Sequence, residues 1–387
     1  MDILSRDARF VSGKASKNLA AKLGALCLTT ISILLWTRPS HSGRNATAGA
    51  DVPYETKDLT FDSSAVVLSG RLFMPSRAGK IPVIIYVTGS GDDDVTDAFY
   101  PRMLANAFAP SGIGIFVYNK RGVGKSQGTY SQTRFDLRAQ DTVAALRFVK
   151  SLPEVDSRHI GMWGISQGGW IIAMAVGQEK QTDFVILVSP GGVNPKRQME
   201  FYLQNEWRRV GMNEDEIKKA SALHEILYNY FAEGENYEQA QSAVNEAVKQ
   251  GWLDKYRLAN FRKEVPTTNR LPNPAQLAAL VKKDPSELEF YRSPYSAADY
   301  ERYYRDLMMP TLVIYGGNDS IVPISESRES FKAAFAKNHN RNAEIKVFED
   351  GDHGIFPPAG SEAVPGYLEF MRDWILHAIQ KSKSSHH

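Results

Sequence analysis

The chain has 387 residues, of which 43% are hydrophobic and 23% charged, as is usual for globular proteins. Its 46 basic and 44 acidic residues leave a net charge of +2, so no charge excess favours DNA, RNA or an anionic membrane surface as a partner. The chain has one cysteine, Cys27, so it cannot form an intramolecular disulfide or a zinc site made of several cysteines.

The N-terminal segment combines a basic region, an apolar run from Leu23 to Trp36 and a small, polar stretch. This order is typical of a secretory signal peptide, with cleavage after Ser42 or Ala48. We therefore expect residues 1–48 to be removed and the protein to be exported, to the periplasm or outside the cell. The alternatives are a membrane anchor over residues 20–36 and a buried amphipathic helix. The fourteen-residue apolar run would span about 21 Å as a helix, less than the roughly 30 Å hydrocarbon core.

From residue 57 onward, short β-branched runs alternate with helical patterns. The first two runs, Leu59–Phe61 and Ala65–Phe73, predict an antiparallel pair of strands. Continuous apolar runs, which are typical of buried parallel strands, follow over residues 81–87, 113–118, 159–165 and 184–188. Apolar residues at helical spacing predict helices over residues 135–150 and 167–176.

The alternation stops at residue 194 and returns near residue 301. In the last part of the chain, strands are predicted over residues 311–315 and 344–348, and helices over residues 325–336 and 362–379. Alternating strands and helices imply an α/β fold with a mostly parallel sheet flanked by helices. We therefore predict a core of residues 51–193 and 301–382, with residues 194–300 inserted as a helical lid.

The turn Gly164-Ile165-Ser166-Gln167-Gly168 matches G-x-S-x-G. The motif is short, but it stands between a predicted apolar strand and a predicted helix, which is the setting of a nucleophile elbow. We expect the Ser166 hydroxyl to project into a cleft as the nucleophile. The Gln167 N–H, at the helix start, would then point at a developing oxyanion.

A serine nucleophile needs a base, and the base needs an orienting acid. Asp319 and His353 each follow a predicted strand, in the chain order serine, acid, histidine that this setting requires. Residues that follow parallel strands meet at one edge of the sheet. Asp352 is a competing acid, but its position next to His353 is poor for supporting the ring.

The loop after the strand at residues 81–87 contains Gly89 and Ser90. A second oxyanion donor is expected from this loop, and Ser90 N–H is our candidate. The run Asp92–Asp94 fits a solvated or helix-capping segment better than a metal site, because three consecutive carboxylates cannot all face one ion. The sequence GKS at residues 124–126 lacks the upstream glycine of a phosphate-binding loop, since Asn119 occupies that position. We therefore expect no cofactor and no metal.

These motifs together resemble the α/β-hydrolase superfamily, in its serine esterase and lipase-like branch with an inserted helical lid. The matching segments are VTGSG at 87–91, YNKRGVGKSQG at 118–128, GISQGG at 164–169, YGGNDSIVP at 315–323 and GDHGIF at 351–356. The resemblance implies a catalytic triad of Ser166, Asp319 and His353, with Ser90 and Gln167 lining the oxyanion hole. One departure is Thr88, where many relatives carry histidine.

The expected function is hydrolysis of carboxylic esters of small molecules through an acyl-enzyme. Amide, peptide or thioester hydrolysis and acyl transfer use the same triad and remain alternatives, and a catalytically silent binding protein is the least favoured. The insertion is rich in aromatic residues, which either wall an apolar pocket under the lid or form the insertion's own core. They include Phe201, Tyr202, Trp207, Tyr228, Tyr230, Phe231, Tyr237, Trp252, Tyr256, Phe290, Tyr291 and Tyr295.

Overall fold

The computed structural model describes residues 53–76, 79–260, 264–286, 288–292, 300–358 and 360–384. The predicted signal peptide or anchor lies outside these residues. Among the residues described, no helix has both the length and the apolar composition that crossing a membrane requires.

The strands are β1 (Tyr54–Ser63), β2 (Val66–Pro75), β3 (Ile81–Val87), β4 (Gly114–Tyr118), β5 (Val155–Ile165), β6 (Phe184–Val188), β7 (Thr311–Gly316) and β8 (Ala343–Phe348). In the described part of the chain they form one eight-stranded sheet, in the order β1-β2-β4-β3-β5-β6-β7-β8. β2 is antiparallel to both β1 and β4, and the other neighbours are parallel. The predicted antiparallel pair and buried parallel strands are therefore confirmed.

The helices around this sheet are α1 (Phe99–Phe108), α2 (Phe135–Ser151) and α3 (Gln167–Gln178), and after the insertion α10 (Ile324–Lys337) and α11 (Tyr367–Ser384). Alternate residues of β3 point to opposite faces, as the period of a strand requires. Val83 and Ile85 pack in a core with α2 and α3, whereas Ile84 and Tyr86 pack in a core with α1 and α11. Both faces are thus covered, which confirms the predicted α/β architecture.

The predicted closing helix, 362–379, begins later than expected. Gly366 has φ +81°, a left-handed conformation that interrupts a helix, and α11 begins at the next residue. The N–H of Val364 donates to the carbonyl of Ile355 at 2.9 Å. Residues before α11 are therefore held against the loop that contains His353.

The segment between β6 and β7 is helical where the structure describes it, as predicted. It contains α4 (Pro195–Arg209), α5 (Glu214–Glu233), α6 (Tyr237–Lys249), α7 (Leu253–Ala259), α8 (Pro274–Lys283) and α9 (Glu289–Arg292). Capping boxes at Asn213 with Glu216 and at Asn273 with Gln276 begin α5 and α8.

Most aromatic residues of this insertion pack with one another rather than facing outward. A separate buried cluster contains Tyr202, Trp207, Tyr228, Tyr230, Phe231, Trp252, Tyr256 and Tyr291. Of the two roles considered for the aromatics, the structure therefore favours an internal core for these eight. Phe290 packs against this cluster and also contacts Phe135 of α2 and Trp170 of α3, with ring centroids 6.0 and 5.7 Å apart, and so links the insertion to the sheet domain.

Candidate active site

The turn between β5 and α3 holds Ser166 in an unusual backbone conformation, with φ +54° and ψ −124°. Non-glycine residues rarely adopt positive φ, and such strain persists only where the surroundings enforce it. A Cβ on Gly168 would lie 2.3 Å from the carbonyl oxygen of Val87, and a Cβ on Gly164 would lie 2.8 Å from the Gly168 carbonyl carbon. Both glycines of the motif are therefore required by close backbone approach.

The Ser166 side chain is partly exposed at the carboxyl edge of the sheet. Its backbone N–H donates to the Val188 carbonyl at 2.8 Å, which ties the turn to the end of β6. Gln167 is the first residue of α3, and an N–H at that position has no acceptor within its own helix. The turn thus presents a hydroxyl beside a backbone donor.

Asp319 and His353 are brought together from the loops after β7 and β8. The Asp319 Oδ2 and His353 Nδ1 atoms lie 2.8 Å apart. The other carboxylate oxygen of Asp319 accepts from the N–H groups of Ile321 at 2.8 Å and Val322 at 3.0 Å. The Asp319 side chain is fully buried and that of His353 is 13% exposed, so the carboxylate is held rigidly while the ring reaches the surface of the site.

The electrostatics of His353 suit a base. Burial alone would lower the pKa of its imidazole, but the negative charge of Asp319 and the hydrogen bond to it outweigh burial. The pKa of His353 is therefore raised above its usual 6.5. With Nδ1 occupied by Asp319, Nε2 is the nitrogen left to exchange a proton.

Asp352, the competing acid, has a different partner. Its Oδ1 accepts from the N–H groups of Gly354 at 2.8 Å and Phe356 at 3.0 Å. These bonds hold the backbone of residues 352–356, the loop that contains His353. The hydroxyl of Tyr100 adds a third restraint by donating to the Gly354 carbonyl at 3.2 Å.

The loop after β3 lies against the nucleophile turn. A Cβ on Gly89 would be 3.2 Å from the Ile165 carbonyl oxygen and 3.6 Å from the Cβ of Ser166. Gly89 is buried, and the next residue, Ser90, is exposed. In the acidic run, Asp94 accepts from Thr96 and Asn119 through Oδ1, so it organises the loop.

Two buried cations at this loop were not anticipated from the sequence. Lys120 Nζ donates to the carbonyls of Gly89, at 2.7 Å, and Gly91. Arg138 Nη2 donates to the carbonyls of Thr88 at 2.7 Å and Gly89 at 3.2 Å, and its Nη1 donates to the side-chain oxygen of Gln167. A signal for Arg138 exists, because it occupies the buried stripe of α2, three residues after Phe135 and four before Thr142.

The three candidate residues follow β5, β7 and β8, whose carboxyl ends lie at one edge of the sheet. Within the described chain, Ser166 Oγ has no hydrogen bond, whereas Asp319 and His353 are paired. Catalytic hydrogen bonds between nucleophile and base are often long in unliganded enzymes. Acyl transfer uses these groups: a serine nucleophile, a histidine paired with an acid, and backbone N–H donors.

One protein family and one relative match this chain over most of its length, and a second relative matches about a third of it. A model of the X-Pro dipeptidyl-peptidase (S15) family matches residues 62–354. The esterase EstD of Thermotoga maritima is 23% identical over 324 residues, which cover 82% of this chain and 64% of EstD. The quorum-quenching protein AidA of Acinetobacter baumannii is 28% identical over 142 residues, 36% of this chain and 45% of AidA. The chain therefore spans less than two thirds of the length of either relative.

The solved structure of the Pyrococcus furiosus esterase Pf2001 matches with a TM-score of 0.51 and 18% identity, over 88% of this chain and 96% of that one. At this identity the match supports the fold alone. The predicted resemblance to serine esterase-like α/β-hydrolases is confirmed. The chain belongs to the X-Pro dipeptidyl-peptidase (S15) family of α/β-hydrolases.

Proposed function

We propose that the protein hydrolyses carboxylic esters, with Ser166 as nucleophile, His353 as base and Asp319 as the orienting acid. The observation that carries this proposal is the Asp319–His353 pair, 2.8 Å apart, at the sheet edge where the strained Ser166 also lies. A serine at positive φ without such a pair would be a tight turn and no more.

In the proposed reaction Ser166 Oγ attacks the substrate carbonyl carbon while its proton passes to His353 Nε2. The tetrahedral intermediate collapses, the C–O bond to the alcohol breaks, and the alcohol takes that proton. Water then attacks the acyl-enzyme, gives its proton to His353, and the carboxylic acid leaves as Ser166 recovers the proton. Asp319 holds the ring and stabilises the imidazolium in both half-reactions.

The proposed oxyanion hole uses two backbone donors, the N–H groups of Gln167 and Ser90. Gln167 opens α3, whose dipole favours negative charge at its N-terminus. The contact of Gly89 with the Ser166 turn supports a position of Ser90 beside the reacting carbonyl.

We also propose that the helical insertion acts as a lid. Its contacts with two loops at the site edge support this role. Asn205 of α4 donates to the carbonyl of Ser320, next to Asp319, at 2.9 Å. On the other side, the N–H of Ser286 donates to the Ser131 carbonyl at 3.1 Å. An insertion attached to loops on both sides of the active site would restrict the access of substrate and exclude water from the site.

The main rival substrate is a peptide, because the family is that of the X-Pro dipeptidyl-peptidases. The ester proposal draws its support from EstD, an esterase that matches 82% of this chain. Thioester hydrolysis and acyl transfer use the same residues and are further outcomes of a substrate test.

The test is hydrolysis of p-nitrophenyl esters from C2 to C12 alongside glycyl-prolyl-p-nitroanilide. We expect ester turnover to exceed anilide turnover and Ser166→Ala to lose roughly 10³-fold or more. Ser157→Ala is the matched control, because Ser157 is exposed at the opposite end of β5. Faster anilide cleavage would move the function to peptides, and equal rates for Ser166→Ala and parent would remove Ser166 from the mechanism.

We further propose that the protein is exported, or anchored by residues 20–36 if the N-terminal segment is not cleaved. The basic, apolar and small-residue order of that segment supports the proposal. N-terminal sequencing of the protein from the expressing cell is expected to begin after Ser42 or Ala48. An intact N-terminus in the soluble cytoplasmic fraction would contradict both forms.

A further inference from the structure

Lys120 and Arg138 are buried beside the candidate active site. Neither forms a salt bridge in the described part of the chain. The neighbouring Arg121 shows the contrast, because Asp141 meets its guanidinium at 2.7 Å. Burying a cation is costly unless polar groups replace the lost water. For Lys120 and Arg138 the replacing groups are backbone carbonyls of residues 88, 89 and 91 and the side chain of Gln167.

The hydrogen bonds to the Gly89 carbonyl also determine where the N–H of the next residue points. In a trans peptide the C=O and the following N–H are coplanar and point in opposite directions. The Gly89 carbonyl accepts from Lys120 at 2.7 Å and from Arg138 at 3.2 Å. Its peptide partner is the Ser90 N–H, which therefore points away from the two buried cations. Holding the Gly89 oxygen fixes the direction of the proposed oxyanion donor.

Arg138 also binds the residue that carries the second donor, through the other arm of its guanidinium. Nη2 binds the Thr88 and Gly89 carbonyls, and Nη1 binds the side chain of Gln167. The planar guanidinium sets these donors at fixed angles. One side chain thus links the loop of Ser90 to the first residue of α3, whose backbone N–H is the second proposed donor.

We infer that Lys120 and Arg138 are positioning residues that orient and separate the two backbone donors of the oxyanion hole, an inference that rests on the proposed function. A carbonyl bound to a cation is also polarised, which strengthens its peptide N–H as a donor. Burial, with a smaller effect from Arg138, holds the pKa of Lys120 well below its usual range, although the charges of Asp92 and Asp93 oppose this shift. The orienting part of its role does not depend on protonation, because ammonium and amine both donate to two carbonyls.

The first experiment compares Lys120→Met, Arg138→Met and Arg138→Lys with the parent on p-nitrophenyl esters. Rates are expressed per active site titrated by a fluorophosphonate, which corrects for misfolded protein. We expect kcat to fall about 10²-fold in each variant, as for loss of an oxyanion donor, with KM changed less than about threefold. Lys125→Met and Arg147→Met are the matched controls, because they remove exposed cations from the same loop and from the same helix. Unchanged kcat per titrated site in Lys120→Met and Arg138→Met would overturn the inference.

A double-mutant cycle tests the link from Arg138 to Gln167. If the guanidinium acts through that side chain, Gln167→Met should lower kcat in the parent but add little in Arg138→Met. Independent, additive losses would remove this half of the inference. A merely structural role would lower the melting temperature without such coupling in kcat.

Crystal structures of Lys120→Met and Arg138→Met give a readout that needs no activity. We expect the Gly89 carbonyl to leave its position and the Ser90 N–H to turn with it. An unchanged Gly89–Ser90 peptide in both variants would overturn the inference, whatever the substrate. Failure of the proposed function is seen separately, as absence of fluorophosphonate labelling at Ser166 in the parent.

Discussion

Replacing Glu264 with glutamine is expected to destabilise the helical insertion strongly. This buried carboxylate accepts hydrogen bonds at Oε2 from Tyr256 at 2.8 Å and Asn260 at 2.6 Å, with His224 Nδ1 at 3.3 Å. Its Oε1 accepts from Tyr291. The four partners come from α5, from α7 and the residue after it, and from α9, so one carboxylate joins three helices.

The magnitude follows from the pKa of Glu264. Burial alone would raise it, but His224 and the donated hydrogen bonds outweigh burial and lower it from 4.5 to about 2. This depression corresponds to about 3 kcal/mol of folding free energy. Because the folded pKa lies below the unfolded one, the stabilisation is complete above about pH 6 and is lost as the pH falls towards 2.

Glu264→Gln should therefore lower the free energy of unfolding by about 3 kcal/mol at pH 7. The difference from the parent should shrink by about 2 kcal/mol between pH 7 and pH 3. Urea unfolding followed by tryptophan fluorescence measures both, because Trp207 stacks on Tyr256 with ring centroids 5.3 Å apart. The matched control is Glu225→Gln, an exposed α5 residue paired with Lys196, expected to change stability by less than about 1 kcal/mol. A loss below about 1 kcal/mol for Glu264→Gln, or one independent of pH, would refute the reasoning.

Three further predictions concern the candidate active site. The acid limb of the pH dependence of kcat/KM should have its midpoint above 6.5, because the pKa of His353 is raised and only the neutral ring accepts a proton; a midpoint below 6 would contradict this. Asp319→Asn should lower kcat about 10⁴-fold through the wrong ring tautomer and move that limb to lower pH, as steady-state kinetics across pH would show. Gly168→Ala should cost about 1–3 kcal/mol and much of the activity, because its Cβ would lie 2.3 Å from the carbonyl oxygen of Val87. Gly177→Ala, whose nearest contact is a surface carboxylate at 3.2 Å, is the control, and equal thermal midpoints for the two variants would contradict the close approach.

The parts of the fold that followed from the sequence are those with strong local patterns. The run IPVIIYV predicted β3 with the bounds that the structure has, and residues 184–188 predicted β6 equally well. Helix α1 was not predicted, because its start at Ala98 lacks a capping side chain and Pro101 stands in its first turn. The late start of α11 also escaped prediction, since it depends on Gly366 and on a hydrogen bond to a distant loop.

For the candidate site, the sequence predicted residue types and chain order. Ser166, Asp319 and His353 each follow a strand-like run, and the ends of parallel strands share an edge, so their proximity could be expected. Asp319 was chosen over Asp352 as the partner of His353 because Asp352 is next to His353 in the chain and is poorly placed to support the ring. The hydrogen bonds of both carboxylates agree with this choice. The triad as a working unit remains a prediction for the kinetics above.

The sequence by itself determined the strand and helix alternation, the strained serine turn and the resemblance to α/β-hydrolases, because these depend on local periodicity and short motifs. Only the tertiary structure decided which side chains meet. Lys120 and Arg138 lie 31 and 49 residues from Gly89 in the chain, yet both hold its carbonyl. The sequence also left open whether the aromatic residues of the insertion line a pocket or form its core. The structure packs most of them into an internal core. Contacts between residues far apart in sequence leave no periodic signal, since they arise when packed elements bring unrelated positions together.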